Sequence, residues 1–349
     1  MTAMVELAKL KKGDRVAVVS PSFAAPGKYP AVYELGLRRL REVVGLEPVE
    51  FPTTRMVGAT TQERARDLVA AFEDPTIRGV ITTIGGNDQV TYVKHIPAEP
   101  FARSPKPFFG YSDNSHLANF LWLLGVPCFY GGAIMPQYAM QGQMHDYTLR
   151  YLKFALFEGG QRELQPSEAF TEVGLDWGDP QNVQRQRDHS LNDGWFWDGE
   201  AKADGITWGG CVECIGEMLT NGVPIPSLED FEHVVLMMET SEEIPSADSV
   251  RGVCESLGKR GILERIRGVL VGRPKAWEFD KPQEPSAREV YRKQQRATIM
   301  QAVRQYNASA PIVQNLDFGH TDPQIAMPYG GRVWIDPRAK KIVLDFGAL

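Results

Sequence analysis

The segment Phe108-Phe109-Gly110-Tyr111-Ser112-Asp113-Asn114 decides how the rest of the chain is interpreted. An apolar run ends there in Gly-Tyr-Ser, and a pattern with helical spacing begins at once, in Ser115-His116-Leu117-Ala118-Asn119-Phe120-Leu121-Trp122. This order predicts a nucleophile elbow, a sharp strand-to-helix turn that holds a serine hydroxyl at its tip. The unpaired N–H groups of the new helix would lie beside that hydroxyl, where they can stabilise an oxyanion.

The same segment also fits an ordinary strand-to-helix connection. Position 114 is Asn, so the second small residue of the G-x-S-x-G motif is missing. In this alternative, Ser112 or Asp113 serves only as the N-cap of the helix. The segment alone therefore leaves a catalytic and a capping interpretation open.

Predicted strands and helices alternate over the first part of the chain, which is typical of a parallel sheet with helices on both faces. Each of three predicted strands is followed by a polar or glycine-rich loop, and these strands end at Ser20, Ile84 and Tyr111. Because the carboxyl ends of parallel strands meet at one edge of the sheet, we expect Gly85-Gly86 to lie near Ser112.

Gly85-Gly86 does not match a dinucleotide-binding loop, because it lacks the G-x-G-x-x-G spacing. A Rossmann-type dehydrogenase is therefore disfavoured. Two interpretations remain: the glycines bring a backbone N–H close to a reacting carbonyl, or they form a plain turn.

Length and composition limit the function classes. A chain of 349 residues predicts two domains, and 43% hydrophobic with 23% charged residues is typical of a soluble globular protein. A net charge of -6 argues against nucleic-acid binding. No stretch approaches the roughly 18 apolar residues of a membrane span. Residues 1–12 lack the apolar core of a signal peptide, so we expect a cytoplasmic protein without a membrane partner.

The cysteines give no clear sign of a metal or redox site. Cys211 and Cys214 form a C-x-x-C pair, but neither a second such pair nor a His pair follows at a suitable spacing. No H-E-x-x-H motif occurs among the six histidines. We therefore expect packing rather than metal binding at these cysteines, and no metal or cofactor in the reaction.

The composition divides the chain into an N-terminal α/β domain (1–165), a connection (166–203) and a C-terminal domain (204–349). The connection is polar but contains the conspicuous aromatic residues Trp177, Trp195, Phe196 and Trp197. Such residues either fasten a long loop to the body of the protein or form a stacking surface for a ligand.

A serine nucleophile needs a base, usually a histidine held by a carboxylate. His320 is the strongest candidate, because Gly-His-Thr-Asp-Pro follows a short predicted strand and leaves the ring free to project. Glu239, at the end of an apolar strand, is a suitable carboxylate. Glu242 and Glu243 compete with it, or the acidic loop simply caps the next helix.

Several fragments together resemble the LD-carboxypeptidase family of serine peptidases, which includes the microcin C self-immunity peptidases. The match runs in order from about residue 10 to the C-terminus, and its fragments are Val16 to Ser22, Glu63 to Leu68, Asp74-Pro75 with Gly79, Gly85-Gly86, Gly110 to Asp113, Gly209-Gly210, Leu236 to Glu239 and Gly319 to Thr321. The resemblance implies an N-terminal α/β domain similar to class I glutamine amidotransferases and a β-rich swivelling C-terminal domain.

The resemblance also implies a Ser-His-Glu triad divided between the two domains. Ser112 would be the nucleophile, His320 the general base and Glu239 its orienting carboxylate. The backbone N–H groups of Asp113 and Gly86 would form the oxyanion hole. Members of this family are cytoplasmic, need no metal and are commonly homodimers.

Two branches of the family give two substrate expectations. One removes D-alanine from a murein tetrapeptide, and the other cleaves an aminoacyl or peptidyl group from a nucleotide. The chain resembles the second branch more, with Gly85, Trp195 and Trp197 expected to contact the substrate. Two departures bear on the substrate: Cys211 stands where the family usually has Asn, and residues 277–293 form an insertion. A ligand-binding protein without turnover is the alternative of another class.

Overall fold

The computed structural model describes residues 4–347. Its strands are β1 (Arg15–Val19), β2 (Glu47–Glu50), β3 (Ile77–Thr82), β4 (Phe108–Gly110), β5 (Cys128–Tyr130), β6 (Gln161–Glu163), β7 (Ala169–Phe170), β8 (Ser190–Leu191), β9 (Phe196–Asp198), β10 (Ala203–Cys211), β11 (Val234–Glu239), β12 (Gly268–Gly272), β13 (Ile312–Leu316), β14 (Met327–Tyr329), β15 (Arg332–Asp336) and β16 (Lys341–Asp345). Its α-helices are α1 (Ala25–Lys28), α2 (Pro30–Arg39), α3 (Thr61–Glu73), α4 (Glu99–Arg103), α5 (Ser115–Leu123), α6 (Asp146–Lys153), α7 (Val212–Asn221), α8 (Leu228–Phe231), α9 (Ala247–Lys259) and α10 (Pro285–Tyr306).

The first sheet has the strand order β14-β5-β4-β3-β1-β2. Strands β1 to β5 pair in parallel, and β14 joins the edge in antiparallel orientation. The loops after β1, β3 and β4 therefore leave the sheet at one edge, as the alternating pattern predicted. This arrangement brings Gly85-Gly86 to the turn at Ser112.

The second sheet has the order β6-β16-β15-β10-β11-β12-β13-β9. Its centre is four parallel strands, β10 to β13, and antiparallel strands flank them on both sides. The predicted fold class, an α/β parallel-sheet part followed by a β-rich part, is confirmed. Cys211 and Glu239 are register partners at the carboxyl ends of β10 and β11.

The two sheets exchange strands along the chain. β6 precedes the predicted connection yet pairs in the second sheet, and β14 follows that sheet's centre yet pairs in the first. Within residues 166–203, β9 forms the edge of the second sheet. The division into 1–165, 166–203 and 204–349 stays a prediction.

Local sequence signals explain where two of the longer helices begin. Thr60 and Glu63 form a reciprocal capping box at the start of α3. α10 starts at Pro285, a residue well suited to the first helical turn. The helix therefore extends into the 277–293 insertion. One face of this cationic helix is buried, through Gln295, Thr298, Ile299, Ala302 and Val303.

The turn at Ser112 rests on a densely packed core. Phe109 and Phe129 stack with ring centroids 4.7 Å apart, and Leu117 and Leu121 of α5 are almost fully buried. Each buried leucine contributes about 2 kcal/mol to the stability of the fold.

No helix within residues 4–347 is both long and apolar enough to cross a membrane.

Candidate active site

Ser112 occupies a turn whose backbone is left-handed. β4 ends at Gly110, and residues 112–114 form a single 3₁₀ turn before α5 begins. The φ angle of Ser112 is +64°, a value that a residue with a Cβ rarely adopts. Asn114, rather than Ser112 or Asp113, is the N-cap residue of α5. The geometry therefore favours the nucleophile-elbow interpretation over simple capping.

Gly85 packs directly against this turn. A Cβ atom placed on Gly85 would lie 2.8 Å from the Cβ of Ser112, 3.0 Å from its Oγ and 3.2 Å from the backbone nitrogen of Asp113. The carbonyl of Gly85 accepts a hydrogen bond from the N–H of Phe23, which fixes the loop. The close approach requires a residue without a side chain, as the sequence suggested.

The carboxylate of Asp113 ties the glycine loop to the turn. Its Oδ2 accepts hydrogen bonds from the hydroxyl of Ser22 at 2.5 Å and from the N–H groups of Asp88 and Gln89, both at 3.1 Å. Asp113 is 1% exposed. These bonds hold the segment that contains Gly86 against the backbone of Asp113, the two predicted oxyanion-hole positions.

Glu239 and His320 are in direct contact. Glu239 is fully buried at the end of β11, and His320 lies in the loop after β13. Nδ1 of His320 is 2.7 Å from Oε2 of Glu239. Gly319 has a φ of +95°, and a Cβ there would lie 2.5 Å from the same Oε2. Glycine at 319 is therefore what allows the loop to approach the carboxylate.

Tyr130 joins this pair to the elbow. Its hydroxyl donates a hydrogen bond to Oε1 of Glu239 at 2.5 Å and accepts one from the N–H of Ser112 at 3.3 Å. Tyr130 was not among the predicted site residues. Its position as the last residue of β5, a parallel strand next to β4, was the signal that could have found it.

Glu242 lies at the other nitrogen of the imidazole ring, with its Oε2 3.0 Å from Nε2 of His320. Burial alone would lower the pKa of His320, but the negative charges of Glu239 and Glu242 raise it well above 6.5. Burial would raise the pKa of Glu242, but the neighbouring His320 lowers it to about 2. Glu243 points elsewhere and pairs with Lys281 at 3.0 Å.

Ser112 and His320 line one cavity of about 430 Å³. Gly85, Gly86 and Glu242 line it too. Its aromatic lining residues are Phe23, Tyr29, Tyr111, Trp177 and Phe279. Its charged lining residues are Asp176, Arg187, Glu242, Lys275, Glu278 and Asp322. The combination of an apolar wall and a few charged groups suits an organic ligand with a polar part.

Trp195 and Trp197, both expected at the substrate, lie outside the lining of this cavity. The indole N–H of Trp195 donates to Oδ2 of Asp317 at 3.2 Å, and the Trp197 ring lies under the ammonium group of Lys340. These two rings fasten the connection to the second sheet. The tryptophan of the connection that faces the cavity is Trp177, and its ring meets Tyr29 edge-on at 5.7 Å.

Two family models match the chain. The description "LD-carboxypeptidase N-terminal domain" fits residues 16–131, and "LD-carboxypeptidase C-terminal domain" fits residues 204–335. The chain belongs to the LD-carboxypeptidase family. The elbow at Ser112 lies within the first match, and Glu239 and His320 lie within the second.

The matches to known proteins cover most of the length of this LD-carboxypeptidase family member. A Bacillus subtilis protein named putative carboxypeptidase YocD is 26% identical over 94% of this chain and 98% of its own. The microcin C7 self-immunity protein MccF of Escherichia coli is 21% identical over 81% of this chain and 78% of its own. A solved MccF-like protein from Streptococcus pneumoniae, in complex with AMP, has a TM-score of 0.81 and 25% identity over 96% and 99% of the two chains.

The two positions expected to depart from the LD-carboxypeptidase pattern lie near the site. Cys211 stands next to the buried Glu239 in the register of the second sheet, and its Sγ is 3.1 Å from Oε2 of Glu213. The 277–293 insertion contributes Phe279 to the cavity wall. Phe279 packs edge-on against Trp277 at 4.8 Å. Phe279 therefore lies in the cavity wall, whereas Cys211 adjoins Glu239 without lining the cavity.

Proposed function

We propose that the protein is a serine peptidase that cleaves an amide-type bond through an acyl-enzyme. The observation that supports this most strongly is a serine with a left-handed backbone in the same cavity as a histidine held 2.7 Å from a buried glutamate. Ser112 is the nucleophile, His320 the general base and Glu239 the carboxylate that orients the imidazole.

The reaction follows from this assignment. The Oγ of Ser112 attacks the carbonyl carbon while Nε2 of His320 takes its proton, and the oxyanion is stabilised by the N–H groups of Asp113 and Gly86. His320 then gives the proton to the leaving amine, and water releases the acyl group by the same steps. Nε2 of His320 donates its proton to a hydrogen bond while it faces the Glu242 carboxylate. That contact must break and that proton must leave before Nε2 has the lone pair that takes the proton of the serine hydroxyl.

For the substrate, we propose an aminoacyl or peptidyl nucleotide. The aromatic wall of the cavity supports this choice, since Trp177 offers a flat face to a base. A solved MccF structure with aspartyl sulfamoyl adenosine bound has a TM-score of 0.83 to this chain, at 19% identity over 98% of each chain. A murein tetrapeptide is the second candidate, and it is supported by the LD-carboxypeptidase family itself.

The test offers the purified protein an L,D-tetrapeptide and an aspartyl sulfamoyl adenosine in parallel, with products separated by chromatography. We expect release of the amino acid from the nucleoside, and a larger increase in KM than decrease in kcat for Trp177→Ala. Hydrolysis of the tetrapeptide alone would move the substrate to the murein branch. Tight binding of either compound without turnover would instead support the ligand-binding alternative.

We further propose that the protein is a cytoplasmic homodimer, because the resemblance to the family implies both properties. Light scattering behind size-exclusion chromatography measures the mass directly. A dimer has twice the chain mass of 38.9 kDa, and elution at a single chain mass would contradict the proposal.

Gly85→Ala is expected to lower kcat by about 100-fold with a small change in melting temperature. The new methyl would overlap Ser112 and the Asp113 nitrogen, and a displacement of about 1 Å at a reacting group can cost that much. The matched control is Gly252→Ala in α9, where a Cβ meets nothing within 4 Å. Steady-state kinetics of both variants check this, and equal kcat values for the two variants would contradict it.

Glu242→Gln is expected to move the acidic limb of the pH–rate profile to lower pH. Only neutral His320 can act as a base, so activity appears as the pH rises through its pKa. The Glu242 carboxylate raises that pKa, and its removal lets the ring lose its proton at lower pH. The control is Glu243→Gln, because the native Glu243 pairs with Lys281 rather than with His320. An unchanged limb, or one shifted to higher pH, would show that Glu242 does not act on His320.

A further inference from the structure

A second cluster of ionisable side chains joins the elbow to α7. Asp113 and His116 belong to the elbow and the first turn of α5, and Cys214 and Glu217 belong to α7. We name these four residues the interhelix cluster. None of them lines the cavity that holds Ser112. The mechanism uses the backbone N–H of Asp113 but none of the four side chains.

The spacing within the cluster brings four ligand atoms together. Each pair is three residues apart in a helical segment, which places both side chains on one face. Nε2 of His116 is 3.0 Å from Oε2 of Glu217 and 3.6 Å from Oδ1 of Asp113. One ligand atom from each of the four residues lies within 4.8 Å of all the others. Two ligand atoms about 2.1 Å from a tetrahedral ion lie about 3.4 Å apart, so the four atoms need only small side-chain movements to bind a single ion.

Burial makes the cluster unusual without an ion. Asp113 is 1% exposed, and while its Oδ2 accepts three hydrogen bonds, its Oδ1 has no hydrogen-bond partner within residues 4–347. A buried carboxylate oxygen without a donor costs free energy. This oxygen faces His116, so a cation there would satisfy it.

The donor set indicates which ion. One thiolate, one imidazole and two carboxylates suit zinc, while magnesium and calcium prefer oxygen ligands alone. Four protein ligands leave no open position, which is typical of a structural rather than a catalytic site. The side chain of Glu217 is 41% exposed and gives the ion a route from solvent.

We propose that the interhelix cluster binds one Zn²⁺ ion, which links the nucleophile elbow to α7 of the second matched domain. Binding replaces protons with metal: the Cys214 thiol loses its proton and His116 binds through a neutral Nε2, so both protons go to solvent. The sulfur of Cys214, otherwise 3.5 Å from the carbonyl oxygen of Ser112, then becomes a zinc ligand. The ion holds the elbow in place, and no step of the peptidase reaction passes through it.

The rival is a metal-free cluster in which His116 is a cation paired with its acidic neighbours. Burial would lower the pKa of His116, but hydrogen bonding to Cys214 and Glu217 and the charge of Asp113 raise it to about 10. The two states differ in their spectra, because only a metal site can hold Co²⁺ on a thiolate.

The experiment uses the full chain, freed of metal with a chelator and titrated with Zn²⁺ and, separately, with Co²⁺. We expect one equivalent of each ion to bind, a Co²⁺–thiolate charge-transfer band, and a melting temperature about 5 °C higher with saturating Zn²⁺. Cys214→Ser should lose the band. Cys211→Ser, the other half of the C-x-x-C pair, should keep it.

Two results would overturn the proposal. The first is a native protein that shows no thiolate band and no rise in melting temperature with Zn²⁺. The second is a band that persists in Cys214→Ser, which would place the ion elsewhere. Both readouts are independent of peptidase activity, so the zinc site and the proposed function can fail separately. If Cys214→Ser does not fold, the native titration still decides.

Discussion

Replacing Ser112 with alanine is expected to lower kcat at least about a thousandfold and to leave the melting temperature nearly unchanged. The change removes only the Oγ that attacks the substrate. The side chain is half-buried, and alanine meets the same backbone strain at φ +64° as serine does. Kinetics with the better of the two substrates, together with thermal unfolding, measure both quantities.

The control for this variant is Ser249→Ala, an exposed serine on α9. It should keep full activity. A Ser112→Ala protein that retained more than a tenth of the native kcat would show that another group attacks the substrate. A variant that lost activity and also unfolded would be replaced by Ser112→Cys, a nucleophile of nearly the same size.

Glu239→Gln is expected to have the second large effect, a loss of about 10⁴-fold in kcat. The amide has the shape of the carboxylate but no charge to stabilise the imidazolium that forms at His320. The new amide NH₂ group can also donate a hydrogen bond to Nδ1 of His320. That bond favours the tautomer with its proton on Nε2, which cannot accept the proton of the serine hydroxyl. Tyr130 would lose its charged acceptor at 2.5 Å. The measurement is kcat over a range of pH, because a neutral neighbour should also lower the pKa of His320.

Tyr130→Phe is a milder change at the same contact and is compared with Glu239→Gln. It keeps Glu239 but removes the hydroxyl between that carboxylate and the N–H of Ser112. The loss of one hydrogen bond to a charged group is worth about 1.5–3 kcal/mol, so its effect should be far smaller than that of Glu239→Gln. Equal losses in the two variants would mean that Glu239 acts through its hydrogen bond to Tyr130 rather than through its charge beside His320.

The sequence predicted the parts of the fold that depend on local patterns. The alternation of strands and helices predicted a parallel sheet, and parallel strands must place their carboxyl ends together, so Gly85 was expected beside Ser112. Thr60 or Thr61 was a plausible cap for α3 on the same local grounds, and the cap is Thr60. Each of these inferences needs only neighbours in the chain and the geometry of one sheet.

Fewer contacts could be predicted from the sequence where they join segments that are distant in the chain. Tyr130 meets Glu239 across 109 positions, and His116 meets Glu217 across 101. No spacing rule within one segment connects such pairs. The pairing of Glu239 with His320 was in reach because both follow strands, but its assignment came from the family resemblance.

The tryptophans illustrate the same limit. Trp177, Trp195 and Trp197 all lie in one polar connection, and the sequence does not say which of them faces the cavity. Only Trp177 does. β9 carries Trp197 into the edge of the second sheet, where that tryptophan pairs in register with Val313. Sheet pairing therefore decides the roles of these rings.

The most direct test of the account is mass spectrometry of the protein after reaction with a serine-directed fluorophosphonate. We predict one adduct per chain on the peptide that contains Ser112, formed by the native protein and almost absent from His320→Ala, where no base activates the hydroxyl. An adduct on a different residue, or none in a protein that still hydrolyses its substrate, would contradict Ser112 as the nucleophile.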